Sequence, residues 1–415
     1  MPLTRSWLAS ANVAESDFPL DNLPCGVFAA PGEAPCCGVA IGDRILDMRA
    51  TEAAGLTGTE GEFAEPSWNA HMAAGPERWA ALRRTLTALL AEGSAERAAV
   101  EPHLVPMAGA ELFLPFEVAE YTDFYSARQH AFNVGTMFRG PENALPPNWL
   151  HIPIGYNGRA STVVVSGTDI RRPNGQTRAP DADAPGFGPS KRFDIELEMG
   201  AIVGTPTRLG EPVTVAQAAE MIFGYVLLND WSARDIQAWE YQPLGPFQSK
   251  ASATTISPWI VTRAALAPFA VPTPERERPL LPYLAEDAPG LYDIALSIEY
   301  TAAGGEPAVI SETNHRELYY SAAQQLAHHA SSGCAMRTGD LLGSGTISGP
   351  DKASFGSLLE ITWGGRDPLS LPGGATRTFI EDGDTLTLRG HAQGDGYRIG
   401  FGAATGTILP APKFP

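Results

Sequence analysis

The stretch Phe193-Asp194-Ile195-Glu196-Leu197-Glu198-Met199 alternates without interruption between apolar and acidic residues. A period of two is that of a β-strand, because successive side chains leave the pleated backbone on opposite faces. Phe193, Ile195, Leu197 and Met199 share one face, and Asp194, Glu196 and Glu198 share the other. At ~3.3 Å of rise per residue, neighbouring acids on that face lie roughly 7 Å apart. Carboxylates stacked in this way repel unless water screens them or a cation bridges them. The segment is therefore either the solvated face of an antiparallel sheet or part of a metal site.

Working outward, Phe223-Gly224-Tyr225-Val226-Leu227-Leu228 is a near-continuous apolar run, as expected of a buried strand, and ends at Asn229-Asp230-Trp231-Ser232. An Asp at such an end can cap a helix or ligate a metal. In a helix following the strand, Asp230, Arg234, Gln237 and Tyr241 fall at i, i+4, i+7 and i+11, on one side, though a solvent-facing helix shows such residues too. Upstream, Tyr121 to His130 crowds aromatic residues, an acid, a base and a His into ten positions. A lone His is more often structural than catalytic, and His151, His315, His328, His329 and His391 are equally available. No pair of histidines has the i, i+4 spacing with a Glu between, which argues against zinc. Downstream, Lys250 to Trp259 is dense in small and polar residues, with a Lys suited to ligand binding or to Schiff-base chemistry. Gly339 to Gly349 is too rich in Gly for an ordinary strand: it is either a close backbone approach to a ligand or a bulged barrel corner. It lacks the spacing of a phosphate loop.

The rest of the chain gives the organisation. Residues 26–28 and 39–46 read as short strands, and Trp79, Leu82, Leu86, Leu89 and Leu90 mark one amphipathic helix ending near Gly93. Residues 105–118 read as a connector lying on the next domain. From Tyr121 onward, short apolar runs alternate with turns, so the fold is expected to be mainly β, of the α+β class, with helices at Val215–Met221 behind Thr214 and at His315–Ala330. Residues 173–191 read as an exposed loop.

With 415 residues, 44% hydrophobic and 18% charged, the chain has the composition of a globular protein of two domains. A net charge of −18 argues against nucleic acid and anionic membranes, which call for basic patches. Four cysteines (Cys25, Cys36, Cys37 and Cys334) are too few for a disulfide framework, and the adjacent pair reads as plain thiols more readily than as a redox or metal site. The N-terminus lacks the apolar run of a signal peptide, and no window reaches the ~18 apolar residues of a membrane span, so the chain is expected in the cytoplasm.

The runs Tyr121-Thr122-Asp123-Phe124-Tyr125-Ser126, Arg128-Gln129-His130, Met137-Phe138-Arg139-Gly140, Asn148 to Pro153, Asn229 to Asp235, Gln248-Ser249-Lys250, Thr254 to Trp259 and Ser344 to Gly349 resemble the fumarylacetoacetate hydrolase family. The similarity keeps order and spacing over nearly the whole chain, densely through the C-terminal part and more thinly before about residue 105. The long runs are specific to the hydrolase, whereas the paired Glu residues and the Asp230 type of position belong to its wider superfamily.

The resemblance implies a small SH3-like β-barrel over residues 1–118 with its connector, a large mixed β-roll catalytic domain over 119–415, and a homodimer. It implies metal ligands at Asp123, Glu196, Glu198 and Asp230, for which an all-oxygen set suits Ca²⁺ or Mg²⁺, with Mn²⁺ a third candidate. A second, weaker cation site would border Lys250 and Thr254. His130 matches the general base, and Glu360, in the strand-like run Leu358 to Trp363, the acid that orients it. Arg234, Gln237 and Lys250 match groups around the developing oxyanion, and Tyr125, Arg139, Tyr156, Gln237, Tyr241 and Thr346 match substrate contacts.

The implied reaction is hydrolysis of 4-fumarylacetoacetate to fumarate and acetoacetate, the last step of tyrosine and phenylalanine catabolism. Such a C–C bond breaks because the leaving fragment is an enolate, which a chelating metal stabilises, while water activated by His130 attacks the carbonyl. Two departures from the family pattern are Ala253, where a Gly usually stands, and Phe132, in place of a smaller residue; they are expected to tighten the second cation site and to alter pocket packing. Competing readings are a related acylpyruvate hydrolase, a 2-oxo acid decarboxylase or isomerase of the same superfamily, and a non-catalytic acidic Ca²⁺-binding protein.

Overall fold

Apolar and β-branched runs punctuated by Gly and Pro form strands from residue 25 onward. The computed structural model describes residues 2–179 and 181–414. In its first part lie β1 (Cys25–Ala29), β2 (Cys36–Ile41), β3 (Arg44–Asp47), α1 (Pro76–Leu90), β4 (Leu104–Pro106) and β5 (Glu111–Phe113). The elements that matter for the larger part are β6 (Tyr121–Phe124), α2 (Arg128–Arg139), β7 (Leu197–Val203), α3 (Val215–Met221), β8 (Ile222–Asp230), α4 (Arg234–Glu240), β9 (Thr254–Ile256), β10 (Trp259–Thr262), β11 (Leu341–Gly343) and α5 (Leu358–Ile361).

Helix α1 begins at Pro76, where the missing N–H costs nothing, and buries Leu82, Leu86, Leu89 and Leu90. The segment expected as a surface connector instead supplies two strands, β4 on β3 and β5 on β1. The expected small barrel does not close. One edge of β1 carries β2, but the other is divided between β5 and β10, so the ladder passes on into the larger part of the chain. Gly26 allows that join: a Cβ there would fall 2.4 Å from the ring of Trp259. The result is one thirteen-stranded mixed sheet spanning both parts, whose main path runs β4-β3-β2-β1-β10-β8-β7-β11-β6 and then Gly155–Asn157.

This topology places the acidic residues together. β7 is antiparallel to β8 and to β11, and β11 is parallel to β6, with Gly343 paired to Asp123. The start of β7 and the ends of β6, β8 and β11 therefore meet at one end of the sheet, where β9 adds Thr254 opposite Asp230. A second sheet of five strands, including Ala295–Thr301, Pro307–Asn314, Thr385–Gln393 and Arg398–Leu409, packs against the first. Leu227 of β8 and Trp231 just beyond its end share one core with Leu296, Leu388 and Phe401 of the second sheet. Ile202, Val226 and Leu228 are in a core with Leu82, Leu86 and Trp68 of the N-terminal part. Burial of each Leu contributes roughly 1.5–3 kcal/mol.

Two helices differ from expectation. Thr214 caps α3 through a capping box with Gln217, as the sequence suggests. The run from His315 to Ala330 is not one helix but a short turn (His315–Glu317) and a helix (Ala322–Ala330) restarted by the Ser321–Gln324 capping box. Residues 173–191, expected as a loop, carry a two-stranded hairpin, Asn174–Thr177 with Gly186–Pro189; Pro180 lies outside the described residues. Among the described residues no helix is long and apolar enough to cross a membrane. Cys25, Cys36 and Cys37 are buried free thiols.

Candidate active site

The alternating stretch is buried on both faces: Asp194, Glu196 and Glu198 are 0%, 3% and 0% exposed, which excludes the solvated-face reading. It is also not one uninterrupted strand. Phe193–Asp194 pairs with Ser232–Ala233 and β7 with β8 in the same register, but between them the ladder opens at Ile195–Glu196. There the side-chain oxygen of Asn229 accepts the Glu196 N–H at 3.1 Å.

Asp123, Glu198 and Asp230 form a buried group whose ligand oxygens lie within 4.8 Å of one another, the arrangement that suits a metal ion. Burial, with Asp230 beside it, pushes the Asp123 carboxyl up to about 7. Burial and the neighbouring Asp123 and Asp230 push Glu198 well above the usual carboxylate range. Asp123 Oδ1 and Glu198 Oε1 are buried with no hydrogen-bond partner among the described residues. Three crowded acids, two of them with an oxygen left over, fit a hard divalent cation, which would relieve both the repulsion and the missing hydrogen bonds. The Gly-rich segment lines this cluster by close backbone approach. Gly345 donates its N–H to Glu198 Oε2 at 2.9 Å, and a Cβ on Gly343 would fall 2.7 Å from Asp123 Oδ1.

Glu196, the fourth expected ligand, lies outside that group of three. Its Oε1 accepts from Arg234 Nη2 at 2.6 Å, and its Oε2 accepts from Ser232 Oγ at 3.1 Å and from Lys250 Nζ. Burial opposes its charge, but Arg234 and Lys250 prevail and hold the carboxyl below the usual range. Asp194 turns to Arg234 as well, accepting from Nε at 2.8 Å. Lys250 Nζ also donates to Asp230 Oδ2 at 2.7 Å, while Thr254 Oγ1 and Tyr156 Oη donate to the two Asp230 oxygens at 3.2 and 3.0 Å.

Helix α2 starts just after β6, so His130 in its first turn stands beside the acids. His130 Nδ1 lies 2.7 Å from Glu360 Oε2, and the His130 ring meets the edge of Tyr125 with centroids 5.4 Å apart. Glu360 is not on a strand. It sits in α5, a single helical turn capped by Ser357, whose side chain accepts the Glu360 N–H and so overrides the strand-like run of apolar residues. Burial works against the Glu360 charge, but His130 and hydrogen bonds from Asn133 and Ser357 hold its carboxyl below the usual range. Asn133 and Ser348, which also reach Glu360, at 2.8 and 2.9 Å, were not singled out in the sequence. The i, i+3 spacing of His130 and Asn133 was the available signal.

A cavity of about 600 Å³ brings these groups together. Of the expected site residues, Asp123, Tyr125, His130, Arg139, Tyr156, Glu196, Glu198, Arg234, Gln237, Tyr241, Lys250 and Thr346 line it. Asp230 and Glu360 stand behind its wall, in contact with Lys250 and His130, and Thr254 stands behind Asp230. Helix α4 starts at Arg234 rather than at Asp230, and turns Arg234 and Gln237 inward, with Tyr241 at its C-terminal cap. Phe138, Leu244, Gly245 and Pro246, not anticipated, add an apolar rim. Phe132 is not among the lining residues, and its ring lies under the Arg128 guanidinium.

The profile "Fumarylacetoacetase N-terminal" matches residues 21–115, and "Fumarylacetoacetate (FAA) hydrolase C-terminal" matches residues 120–408. A fumarylacetoacetase from Bos taurus is 50% identical over 410 residues, covering 96% of this chain and 98% of that one. A fumarylacetoacetase from Arabidopsis thaliana is 48% identical over 430 residues, covering 99% of this chain and 100% of the relative. Among solved structures, a fumarylacetoacetate hydrolase from Exiguobacterium antarcticum superposes with a TM-score of 0.52 at 16% identity, covering 93% of this chain and 99% of that one, a likeness of fold alone.

Proposed function

The chain belongs to the fumarylacetoacetate hydrolase family, and on that premise we infer that its cavity hydrolyses the C–C bond of 4-fumarylacetoacetate to fumarate and acetoacetate. The observation that carries this reading is the convergence, in and just behind the wall of one cavity, of the buried His130–Glu360 pair and three grouped carboxylates, of which Asp123 and Glu198 each keep one oxygen without a partner among the described residues.

Asp123, Glu198 and Asp230 are the residues that would hold a divalent cation, Ca²⁺ or Mg²⁺ before Mn²⁺, with Glu196 joining them only by giving up part of its contact with Arg234 and Lys250. Such a cation polarises a 1,3-dicarbonyl and lowers the energy of its enolate. Glu360 accepts the Nδ1–H of His130, which leaves Nε2 as the acceptor for a proton from water. The water oxygen adds to the carbonyl on the fumaroyl side. Arg234, Gln237 and Lys250 supply N–H donors to the oxyanion so formed, each worth roughly 3–4 kcal/mol on removal in comparable sites. Collapse breaks the C–C bond, the pair of electrons leaves with the acetoacetate carbon, and that carbon takes up a proton. Tyr125, Arg139, Tyr156, Tyr241 and Thr346 line the space around the substrate.

The second, weaker cation site near Lys250 and Thr254 would have to share Asp230, whose oxygens already accept from Thr254, Lys250 and Tyr156. The ammonium of Lys250 brings positive charge there, and no step depends on that site. The same reading includes the division near residue 118 into an N-terminal module and a β-roll catalytic domain, supported by the break between the two family profiles at 115–120. It also includes a homodimer, cytoplasmic placement and a place in tyrosine catabolism. The test is an assay of the purified chain for loss of the substrate's ultraviolet diketone absorbance with fumarate measured as product. Absorbance loss without fumarate would replace this reading with that of an isomerase or decarboxylase.

A further inference from the structure

Glu360 is gripped at both oxygens from a single helix. On α2, His130 and Asn133 are one turn apart. Nδ1 of His130 meets Glu360 Oε2 at 2.7 Å, and Nδ2 of Asn133 donates to Oε1 at 2.8 Å. Ser348 and Ser357 add two more donors, both to Oε2. Asn133 is therefore the one partner that Oε1 has among the described residues, and the one that fixes rotation of the carboxylate about the oxygen facing His130. An amide side chain can present either its oxygen or its nitrogen; the Glu360 carboxylate only accepts and so takes the nitrogen, and Gln129 secures that orientation from the other side. One turn earlier on α2, Gln129 Nε2 donates to Asn133 Oδ1 at 2.8 Å, which leaves Nδ2 to face Glu360.

We infer that Gln129 and Asn133 are positioning residues for the base: Gln129 orients the Asn133 amide, Asn133 fixes the Glu360 carboxylate, and Glu360 holds the His130 ring with Nε2 toward the cavity. The inference rests on the proposed role of His130. Both side chains act through Glu360 and neither lines the cavity, so their loss should lower turnover and leave substrate affinity nearly alone.

The test is a set of nested variants assayed by steady-state kinetics. Asn133→Ala should lower kcat by ~10- to 100-fold, as loss of supporting partners does in comparable sites, with KM within about threefold of wild type. In a Glu360→Ala background the same change should lower kcat by less than about threefold, because the group it acts through is gone. Gln129→Glu leaves a side chain that can only accept, so it should turn the Asn133 oxygen toward Glu360 and lower kcat by about tenfold; in the Asn133→Ala background it should do nothing. Gln129 is only half-buried, so its variant tests the chain even should Asn133→Ala fail to fold. Equal losses of kcat in both backgrounds would mean a merely structural role and would overturn the inference. His130→Ala, run alongside, separates the two readings. If it keeps full activity, the proposed base is wrong. If it loses activity while Asn133→Ala and Gln129→Glu do not, only the positioning inference falls.

Discussion

Asp194 and Arg234 form a fully enclosed ion pair, Nε to Oδ2 at 2.8 Å, with both side chains at most 6% exposed. The same carboxylate accepts the N–H of Leu358 at 2.8 Å and of Leu359 at 3.1 Å, the first two residues of α5. Asp194 thus ties the guanidinium on α4 to the helical turn that carries Glu360. Of the three acids on the alternating stretch, one sits in the metal-binding group, one is bound by Arg234 and Lys250, and this one spans two elements of the site.

Replacing Asp194 with Asn should therefore damage the fold as well as the site. The variant leaves a buried guanidinium with half its counter-charge, a loss of about 3–5 kcal/mol in comparable buried pairs. Urea unfolding monitored by tryptophan fluorescence checks this. A change below ~1 kcal/mol would mean that Glu196 alone satisfies Arg234.

Gly343 and Gly345 were read in the sequence as backbone brought close to a ligand or as a barrel corner, and two glycines of equal φ separate close approach from mere conformational freedom. Gly345 and Gly373 both have φ of +76°, but a Cβ at Gly345 would fall 2.2 Å from Phe124 O, whereas nothing lies within 4 Å of one at Gly373. Gly373→Ala should cost only the ~1–2 kcal/mol of a left-handed residue. Gly345→Ala should cost more and should also weaken metal binding, since the Gly345 N–H holds Glu198. Calorimetric melts and metal titrations of the two variants make the comparison, and equal behaviour would refute it.

The carboxylate group predicts that a strong chelator abolishes activity and that Ca²⁺ or Mg²⁺ restores it. Glu198→Gln removes one of the oxygen charges and should weaken the metal by about tenfold or more with the fold intact. Isothermal titration with each ion is the measurement. Rescue by Zn²⁺ alone would mean a different donor set.

How far this site was legible depended on how local its causes are. Alternation over seven residues identified the acidic face, and the apolar run before Asp230 identified its neighbour. The partners of Asp194 lie 40 and 164 residues away, so nothing in the stretch itself could separate bridge from ligand. Family likeness points to Glu360, but its local structure is a helical turn and not the strand its apolar neighbours suggest. Leu-Leu-Glu-Ile-Thr-Trp has strand composition, and a single Ser cap decides otherwise. The open N-terminal barrel was equally out of reach, because it depends on β10, more than two hundred residues after β1, taking part of the β1 edge.

His315 supplies a pH dependence outside the site. It is enclosed by Tyr225 and Tyr292, and its Nδ1 accepts the Tyr292 N–H at 3.2 Å, so the folded state holds the neutral ring. Burial pushes its pKa down to about 4, against about 6.5 in the unfolded chain. A group depressed on folding contributes stability that is present above ~6.5 and is lost as pH falls toward 4, where the unfolded state takes up the proton first. Between pH 7.5 and 5 this one residue should remove about 2 kcal/mol. His315→Gln, which can still accept the Tyr292 N–H, should lose correspondingly less over that interval in urea unfolding. An identical pH slope would show that His315 is not the group responsible.

The remaining prediction separates base from ligand at His130. Its Nδ1 is committed to Glu360, and it does not belong to the carboxylate group, so His130→Ala should bind metal and a substrate analogue nearly as wild type does. Turnover should nevertheless fall by about 10²- to 10⁴-fold, the usual contribution of a positioned base. Glu360→Gln should give a smaller drop, since it weakens the orientation and charge stabilisation of the ring without deleting the base. Calorimetric metal titration and steady-state kinetics on the same preparations decide the matter. Joint loss of metal and activity in His130→Ala would make His130 a ligand or a structural residue, and full activity would place the base on another side chain of the cavity.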